Sequence, residues 1–295
     1  MYASQFAQYL KLERNYSVRT VSSYLLDLEL FDRYLESVEQ GLDSSRADRD
    51  NVRMWLASMM SQGEKSTTVN RRLSTLRSYY RYLVGKGLIS QSPAQGVKGP
   101  KNSKPLPHFV REDEMDEILD EAFPVDGFDG IRGGCIMAVF YECGLRLAEL
   151  VGLNVDDVDL QQRQLKVTGK RDKQRVIPFG QELESRIETY LQARSRVSNP
   201  TESAFFINGK GHRISRQAVY RMVKSVLSNY SSVDKKSPHV LRHTFATSML
   251  NEGAALGAVK ELLGHESMST TQVYVHTTFE QLKDIYQQAH PRGDK

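Results

Sequence analysis

The stretch SPHVLRHTFATSMLN, residues 237–251, predicts an amphipathic helix with three polar side chains on one face. Pro238 suits the first turn of a helix, because the amide donor that it lacks would be unpaired there anyway. His239, Arg242 and His243 stand at positions i, i+3 and i+4 and therefore share a face. Apolar residues fill the opposite side. The helix thus carries two imidazoles and a guanidinium side by side.

Three interpretations of these polar residues are possible: a structural role, a metal site and a phosphate site. Each side chain, taken singly, is also explained by a structural role in a helical interior. The His-x-x-x-His spacing is that of zinc proteases, but the general-base glutamate of that motif is absent. Arg242 stands between the histidines and would be repelled by a dication. A phosphate site remains, since a guanidinium donates two parallel hydrogen bonds to phosphate oxygens.

Two more cations are candidates for the same phosphate. Arg146 lies in the apolar run CGLRLAEL, where an unpartnered charge is costly. Glu149, three residues on, is an alternative partner, and both interactions can coexist. Lys170 lies at the tip of a predicted hairpin, from which it could protonate a leaving oxygen. An ordinary solvated turn lysine explains Lys170 equally well.

Six polar residues, in this order and with these gaps, resemble the catalytic set of the tyrosine site-specific recombinases, the phage integrase family: Arg146, Lys170, His239, Arg242, His265 and Tyr274. The resemblance covers the whole chain, and the tail at residues 276–292 looks most like the bacterial Xer recombinases, which resolve chromosome dimers. Cys143 stands where the family often has threonine, and Arg171 replaces a glycine that is often found after the hairpin lysine. Neither change removes a catalytic group.

The resemblance implies a mechanism that passes through a covalent phosphotyrosine. Tyr274 attacks the scissile phosphate and leaves a 3′-phosphotyrosine and a free 5′-hydroxyl. Arg146 and Arg242 stabilise the transition state, in which charge spreads over the phosphate oxygens. Nearby cations also favour the phenolate of a tyrosine, whose ordinary pKa is about 10.

The resemblance also assigns the proton transfers. Lys170 protonates the leaving 5′-oxygen, and His265 donates a hydrogen bond to a non-bridging oxygen. His239 takes the tyrosine proton or tunes the phosphate contacts. Because the covalent link stores the energy of the broken bond, neither ATP nor a metal is chemically required, and we predict no cofactor.

Apolar periodicity predicts a mainly α fold with a small antiparallel sheet, in two domains. These are a helical, SAM-like core-binding domain at 1–90 and a mixed α/β catalytic domain at 109–295, which ends in an exchange helix. The proline-rich segment 91–108 is a predicted linker. The predicted helices are 2–12, 18–38, 51–60, 66–85, 111–122, 131–142, 146–151, 181–196, 215–229, 239–251, 255–263, 269–275 and 279–288. The predicted strands are 158–160, 164–168 and 175–179.

Basic residues gather in local blocks although the net charge is only +4. Blocks of this kind can neutralise DNA phosphates, and ordinary solvated faces are the alternative. The helix predicted at 66–85 has a basic edge, and the hairpin and the segment 203–233 are also basic. The residues predicted to contact DNA are Lys65, Arg71, Arg72, Arg77, Arg81, Arg171, Lys173, Arg213, Arg216, Arg221 and His243.

The sequence predicts a cytoplasmic protein with no membrane partner. No apolar run approaches the ~20 residues that span a bilayer. We also see no signal peptide. Cys135 and Cys143 are about two helical turns apart, too far for a disulfide within one helix. They are therefore predicted to be buried thiols.

The predicted partner is a double-stranded DNA recombination site. The resemblance implies a homo- or hetero-tetramer on two duplexes, with a second Xer-type recombinase and a septal DNA translocase as candidate partners. It also favours a terminal helix that docks in a neighbouring protomer, although the apolar stripe at 279–286 fits docking on its own domain equally well. The alternative functions are an integrase of a mobile element, a type IB topoisomerase and a catalytically silent DNA-binding protein.

Overall fold

The computed structural model describes residues 2–102, 109–169, 172–197, 199, 202–264 and 279–293. The chain divides into two compact units, Met1–Pro105 and Leu106–Lys295. The described residues are mainly helical with one small antiparallel sheet, which confirms the predicted fold class. Among them, no helix combines the length and the apolar character that crossing a bilayer requires.

The first unit is helical, with α1 at Ala3–Leu12, α2 at Val18–Val38, α3 at Arg49–Ser61 and α4 at Ser66–Gly85. The apolar positions of the four helices meet in one core. Within it the rings of Phe31 and Trp55 lie 4.7 Å apart. These helices form because each has one apolar stripe that is buried only by its neighbours.

Much of the segment predicted to be a linker packs on the first unit. Ala94 and Val97 are buried in its core. Asn70 of α4 donates to the carbonyl of Pro100 at 2.8 Å, and Arg77 of α4 donates to the carbonyl of Val97 at 2.7 Å. The prolines in this segment therefore accompany an ordered, irregular stretch of chain as far as residue 102.

The second unit surrounds a three-stranded antiparallel sheet with helices. The strands are β1 at Val158–Asp159, β2 at Gln164–Thr168 and β3 at Gln174–Pro178, paired in the order β1-β2-β3. The helices are α5 at Glu112–Glu121, α6 at Phe128–Cys143, α7 at Leu147–Gly152, α8 at Gln181–Ser195, α9 at Arg216–Tyr230, α10 at Pro238–Asn251, α11 at Leu256–Leu263 and α12 at Phe279–Ala289. A short 3-10 turn occupies Val155–Asp157.

Helix α6 is the central element of the second unit, buried throughout from Gly133 to Cys143. It begins three residues earlier than predicted, because its first turns contain glycines that weaken the helical signal. Gly144 ends the helix with φ +58°, and a Cβ there would lie 2.5 Å from Phe245. Only glycine fits this turn, which directs the chain into α7.

Helix α12 packs on its own unit, with Leu282, Tyr286 and Ala289 buried. It contacts α10, α11 and β3. In the single chain its apolar residues are covered by its own unit, and docking in a neighbouring protomer stays a prediction. The helix predicted at 269–275 lies outside the described residues.

Candidate active site

Arg146 stands at the start of α7, directly after the turn at Gly144. The carboxylate of Glu149 accepts a hydrogen bond from the backbone N–H of Arg146 at 2.9 Å and another from its Nη1 at 2.6 Å. This arrangement is a capping box, which satisfies donors that the start of a helix leaves open. The Arg146 side chain remains 36% exposed, and Nη2 also donates to the carbonyl of Gly264 at 3.2 Å.

Arg242 lies in α10 and is only 8% exposed. Its Nη1 donates to the carbonyl of Gly144 at 2.7 Å, and its Nη2 donates to the carbonyl of Leu263. Nη1 also lies 3.9 Å from the carboxylate of Glu149. A buried guanidinium needs such partners, because burial without them is costly. Arg242 is thus fixed between the end of α6 and the end of α11.

The fold brings Arg146 and Arg242, far apart in the sequence, to the same carboxylate. Burial alone would raise the pKa of Glu149, but hydrogen bonds from Arg175 and Arg146 outweigh it and lower the pKa to about 2. Burial, and then the charge of Arg146, lower the pKa of the Arg242 guanidinium to about 10. Glu149 and Arg242 are therefore both ionised at neutral pH.

The two histidines of α10 lie at its open side. His239, in the first turn, and His243, one turn later, are both exposed, whereas Arg242 between them is buried. On the predicted helical face, Arg242 is therefore buried while the two histidines are in contact with solvent.

Four of the predicted site residues lie outside the described residues: Lys170, Arg171, His265 and Tyr274. Residues next in sequence to three of them are described: Gly169 before Lys170, Asp172 after Arg171 and Gly264 before His265. The backbone N–H of Gly169 donates to the carbonyl of Lys173 at 2.8 Å and closes the hairpin, and Lys173 is exposed. Gly264, which directly precedes His265, accepts from Arg146.

The motif analysis missed Arg175 and treated Glu149 only as an alternative partner of Arg146. Arg175 lies in β3 and donates to both oxygens of Glu149, at 3.1 and 2.8 Å, and from Nε to the carbonyl of Leu262 at 2.7 Å. Arg175 and Ile177 are two positions apart in β3 and therefore lie on the same face of the strand, where Ile177 is fully buried. A basic residue on the apolar face of a predicted strand was a usable signal in the sequence. Such a charge requires a partner inside the fold.

Several of the arginines predicted to contact DNA are held inside their own unit. Arg72 donates to Glu64 at 2.6 Å and has a side chain only 15% exposed. Arg71 makes two hydrogen bonds to the buried carboxylate of Asp27. Arg77 donates to a backbone carbonyl.

Arg213, in the second unit, is also engaged by its own unit. Its guanidinium donates to the carbonyls of Val151 and Leu153 at 2.8 and 2.9 Å, and to Asn154 Oδ1 at 2.6 Å. These bonds tie the segment before α9 to the end of α7. Other basic residues of the predicted set are exposed at the surface: Lys65, Arg81, Lys173, Arg216 and Arg221.

Comparisons with known families show to which family the chain belongs. The profile of the Phage integrase family matches residues 108–281, and the Phage integrase N-terminal SAM-like domain matches residues 3–87. The chain belongs to the phage integrase family. It is a tyrosine recombinase, an enzyme that cuts and rejoins DNA.

Curated members of the family resemble the chain over its whole length. The tyrosine recombinase XerC of Vibrio atlanticus is 40% identical over 295 residues, which cover 99% of this chain and 93% of that protein. The tyrosine recombinase XerC of Oceanobacillus iheyensis is 37% identical over 302 residues, which cover 100% of this chain and 97% of that protein.

Solved structures of the family share the fold. The XerH recombinase bound to a palindromic difH substrate, in a post-cleavage complex, aligns with a TM-score of 0.74 at 22% identity, covering 96% of this chain and 83% of that one. A lambda integrase dimer bound to a core site aligns with a TM-score of 0.69 at 18% identity, covering 93% and 98%.

Proposed function

We propose that Arg146 and Arg242 hold the scissile phosphate of a double-stranded DNA recombination site while Tyr274 attacks it. The observation that carries this proposal is the convergence of the two guanidiniums on Glu149, with Nη1 atoms 2.6 and 3.9 Å from its oxygens. A phosphodiester in the transition state needs more than one cation, and arginine supplies paired donors in a fixed geometry.

The charges of the cluster fit an additional anion. Three guanidiniums, those of Arg146, Arg175 and Arg242, face the single carboxylate of Glu149. The excess of positive charge in a partly buried place attracts a phosphate strongly, because screening by water is weak there. The partial exposure of Arg146 offers a direction of approach.

Proton transfers are assigned to residues near the two arginines. Lys170, carried by the hairpin between β2 and β3, protonates the 5′-oxygen that leaves. His239 accepts the proton of Tyr274 or tunes the phosphate contacts, which its exposed position beside Arg242 supports. His265, next in sequence to Gly264, donates to a non-bridging oxygen.

We propose that fewer residues contact DNA than the sequence predicts. Arg72 and Arg213 each donate hydrogen bonds to partners in the protein and are removed from the proposed set. The exposed side chains are free to approach phosphates without breaking a bond that the structure describes. The retained contacts are Lys65, Arg81, Lys173, Arg216, Arg221 and His243, with Arg71, Arg77 and Arg171 as further candidates.

The biological role that we propose is resolution of chromosome dimers in the cytoplasm. Relatives named XerC over the full length, and the fold shared with XerH on its difH substrate, support this role. Strand exchange between two duplexes requires several protomers, so the working form is a tetramer, with a second Xer-type recombinase and a septal DNA translocase as candidate partners. A mobile-element integrase would instead act on sites flanking its own gene.

A nicked suicide substrate tests the chemistry directly. The duplex carries a candidate site from the replication terminus of the same genome, with a nick close to the cleavage position, so that the short 5′-hydroxyl strand diffuses away after attack. We expect an SDS-resistant protein–DNA adduct that forms in EDTA and is absent from Tyr274→Phe. DNA binding by Tyr274→Phe, measured in parallel, serves as the control for folding.

The alternatives give different outcomes in the same assay. A catalytically silent DNA-binding protein would bind the duplex without any adduct, and a metal-dependent nuclease would stop in EDTA. A type IB topoisomerase would form the adduct and relax supercoiled DNA without exchanging strands between two sites. An adduct that persists in Tyr274→Phe would refute the proposed nucleophile.

A further inference from the structure

Three consecutive carbonyl groups at the C-terminal end of α11 each accept a hydrogen bond from a different arginine. The last carbonyls of a helix have no partner within it and lie at its negative end. The donors and acceptors are Arg175 Nε and Leu262 O at 2.7 Å, Arg242 Nη2 and Leu263 O, and Arg146 Nη2 and Gly264 O at 3.2 Å. Side chains from a strand and from two helical segments therefore fix one helix end.

The same three arginines also face Glu149. Arg146 donates to it at 2.6 Å, Arg175 makes two bonds at 3.1 and 2.8 Å, and Arg242 lies at 3.9 Å. Glu149 is thus the shared counter-ion of the cluster, and it accepts two hydrogen bonds from Arg175 and two from Arg146. A carboxylate held on both oxygens by one guanidinium has a defined orientation.

All three side-chain nitrogens of Arg175 donate to described protein groups. Its Nε, Nη1 and Nη2 all bond to Leu262 or Glu149, and its side chain is 12% exposed. A Cβ on Gly264 would lie 3.1 Å from Arg175 Cδ and 3.2 Å from Nη1, so the guanidinium is packed against that backbone. Arg175 therefore holds protein groups, whereas the more exposed Arg146 is accessible to a substrate.

The place of Arg175 in the sheet adds a third connection. It is the second residue of β3 and pairs with Val167 of β2 across the hairpin that contains Lys170. One side chain thus links the β2–β3 hairpin, the carboxylate that orients Arg146, and the end of α11. Small displacements of catalytic groups have large effects on rate, and such a link limits them.

We propose that Arg175 is a positioning residue for DNA cleavage: it holds Glu149, and through it Arg146, together with the end of α11, in the arrangement that the reaction requires. It does so without contacting DNA. This inference rests on the phosphate-binding roles proposed above for Arg146 and Arg242.

The first test is Arg175→Lys, which keeps the charge but cannot bond to two carboxylate oxygens and a carbonyl at once. The rate constant of adduct formation is measured in a single turnover at saturating protein, and the Kd for the same duplex is measured by fluorescence anisotropy. We expect the rate constant to fall about 10- to 100-fold. The Kd should change less than about threefold, because phosphate contacts dominate affinity.

Arg186→Lys is the matched control. Arg186 also makes two bonds to one carboxylate, that of Glu182, and one to a backbone carbonyl, that of Leu119. It lies in α8, these partners are not those of the arginine cluster, and its substitution should leave the rate constant unchanged. A loss that merely reflects weakened structure would appear in both variants.

A double variant tests whether Arg175 acts through Glu149. If it does, Arg175→Lys combined with Glu149→Gln reacts no slower than the slower single variant. Effects that multiply would overturn the proposal, as would an unchanged rate in Arg175→Lys. Thermal unfolding identifies any variant that is unfolded at the assay temperature. If Arg175→Lys is unfolded, Arg175→Gln replaces it, and the same decrease in the rate constant is expected.

The wild-type chain separates failure of this inference from failure of the proposed function. Wild type that forms no adduct on the nicked duplex would refute the roles proposed for Tyr274 and the two phosphate-binding arginines. Wild type that reacts, with Arg175→Lys and Arg175→Gln reacting equally fast, would refute only the positioning role.

Discussion

Arg146 and Arg242 are proposed to serve one phosphate, but they differ in what else they hold together. Arg242 is 8% exposed and donates to the carbonyls of Gly144 and Leu263, at the ends of two helices. The Arg146 side chain is 36% exposed and shares the carboxylate of Glu149 with another arginine. Substitution of Arg242 should therefore lower both the stability of the fold and the rate of cleavage, whereas substitution of Arg146 should lower mainly the rate.

We predict that Arg242→Ala lowers the free energy of unfolding by roughly 1–3 kcal/mol for each buried carbonyl left without a donor. Arg146→Ala should lower it by no more than about 1 kcal/mol. Both variants should lose about 10³-fold or more in the rate of adduct formation. Urea unfolding of the two variants beside wild type measures the difference, and equal losses of stability would contradict it.

Sequence reasoning predicted individual site residues unevenly, for physical reasons. Order and spacing were enough to identify Arg146 and Arg242, because both belong to the set of residues on which the family resemblance rests. The partners of Arg175 were missed because Glu149 and Leu262 lie far from it in sequence. Spacing along a chain specifies neighbours within one helix, but it contains no distances between elements.

At the scale of elements, α12 contacts a buried carboxyl group in α6. Glu142 is fully buried, accepts from Tyr286 Oη at 3.4 Å, and has no hydrogen-bond partner on Oε1 within the part of the chain that the structure describes. Burial raises the pKa of Glu142 to about 8, although the charges of Arg292 and Arg186 oppose this shift. The docked helix therefore favours the protonated form of Glu142.

We predict that docking of α12 weakens as pH rises. Because the folded-state pKa lies above the ordinary value of 4.5, the stabilisation is complete below pH 4.5 and is lost as pH rises through about 8. Hydrogen exchange of the α12 amides, corrected for intrinsic rates, should therefore accelerate between about pH 4.5 and pH 8.

The variant Glu142→Gln provides the decisive comparison for this pH dependence. Its amide is similar in shape to the protonated carboxyl and does not ionise, so exchange from α12 should become independent of pH in that range. Glu117→Gln, at an exposed position of α5, is the matched control and should behave as wild type. A pH dependence that survives in Glu142→Gln would contradict the assignment.

Helices and strands were predictable where apolar periodicity was strong, as in α2 and α4, whose bounds match the predictions. The start of α6 was placed too late, because Gly130, Gly133 and Gly134 interrupt its pattern; a Cβ on Gly133 would lie 2.4 Å from Phe123, so packing requires the glycine there. The docking partner of α12 was not predictable, since an apolar stripe records burial but not the identity of the surface that covers it.

At the scale of the whole molecule, the chain has two cores and a terminal helix that is already buried. Leu282, Tyr286 and Ala289 lie against the unit to which they belong. The free protein therefore lacks the exposed apolar stripe that would drive association through α12. We therefore expect the proposed tetramer to assemble on DNA, which brings protomers together at a high local concentration.

We predict that the free protein sediments as a single species with the mass of one chain at micromolar concentration. Addition of a duplex with one recombination site should give a complex that contains two protomers, and pairing of two such duplexes should give four. Sedimentation velocity with labelled DNA measures both steps, and a duplex of scrambled sequence is the control. A stable dimer without DNA would mean that α12 is exchanged between protomers before DNA binds, because the surface that covers Leu282 and Tyr286 would then belong to a partner.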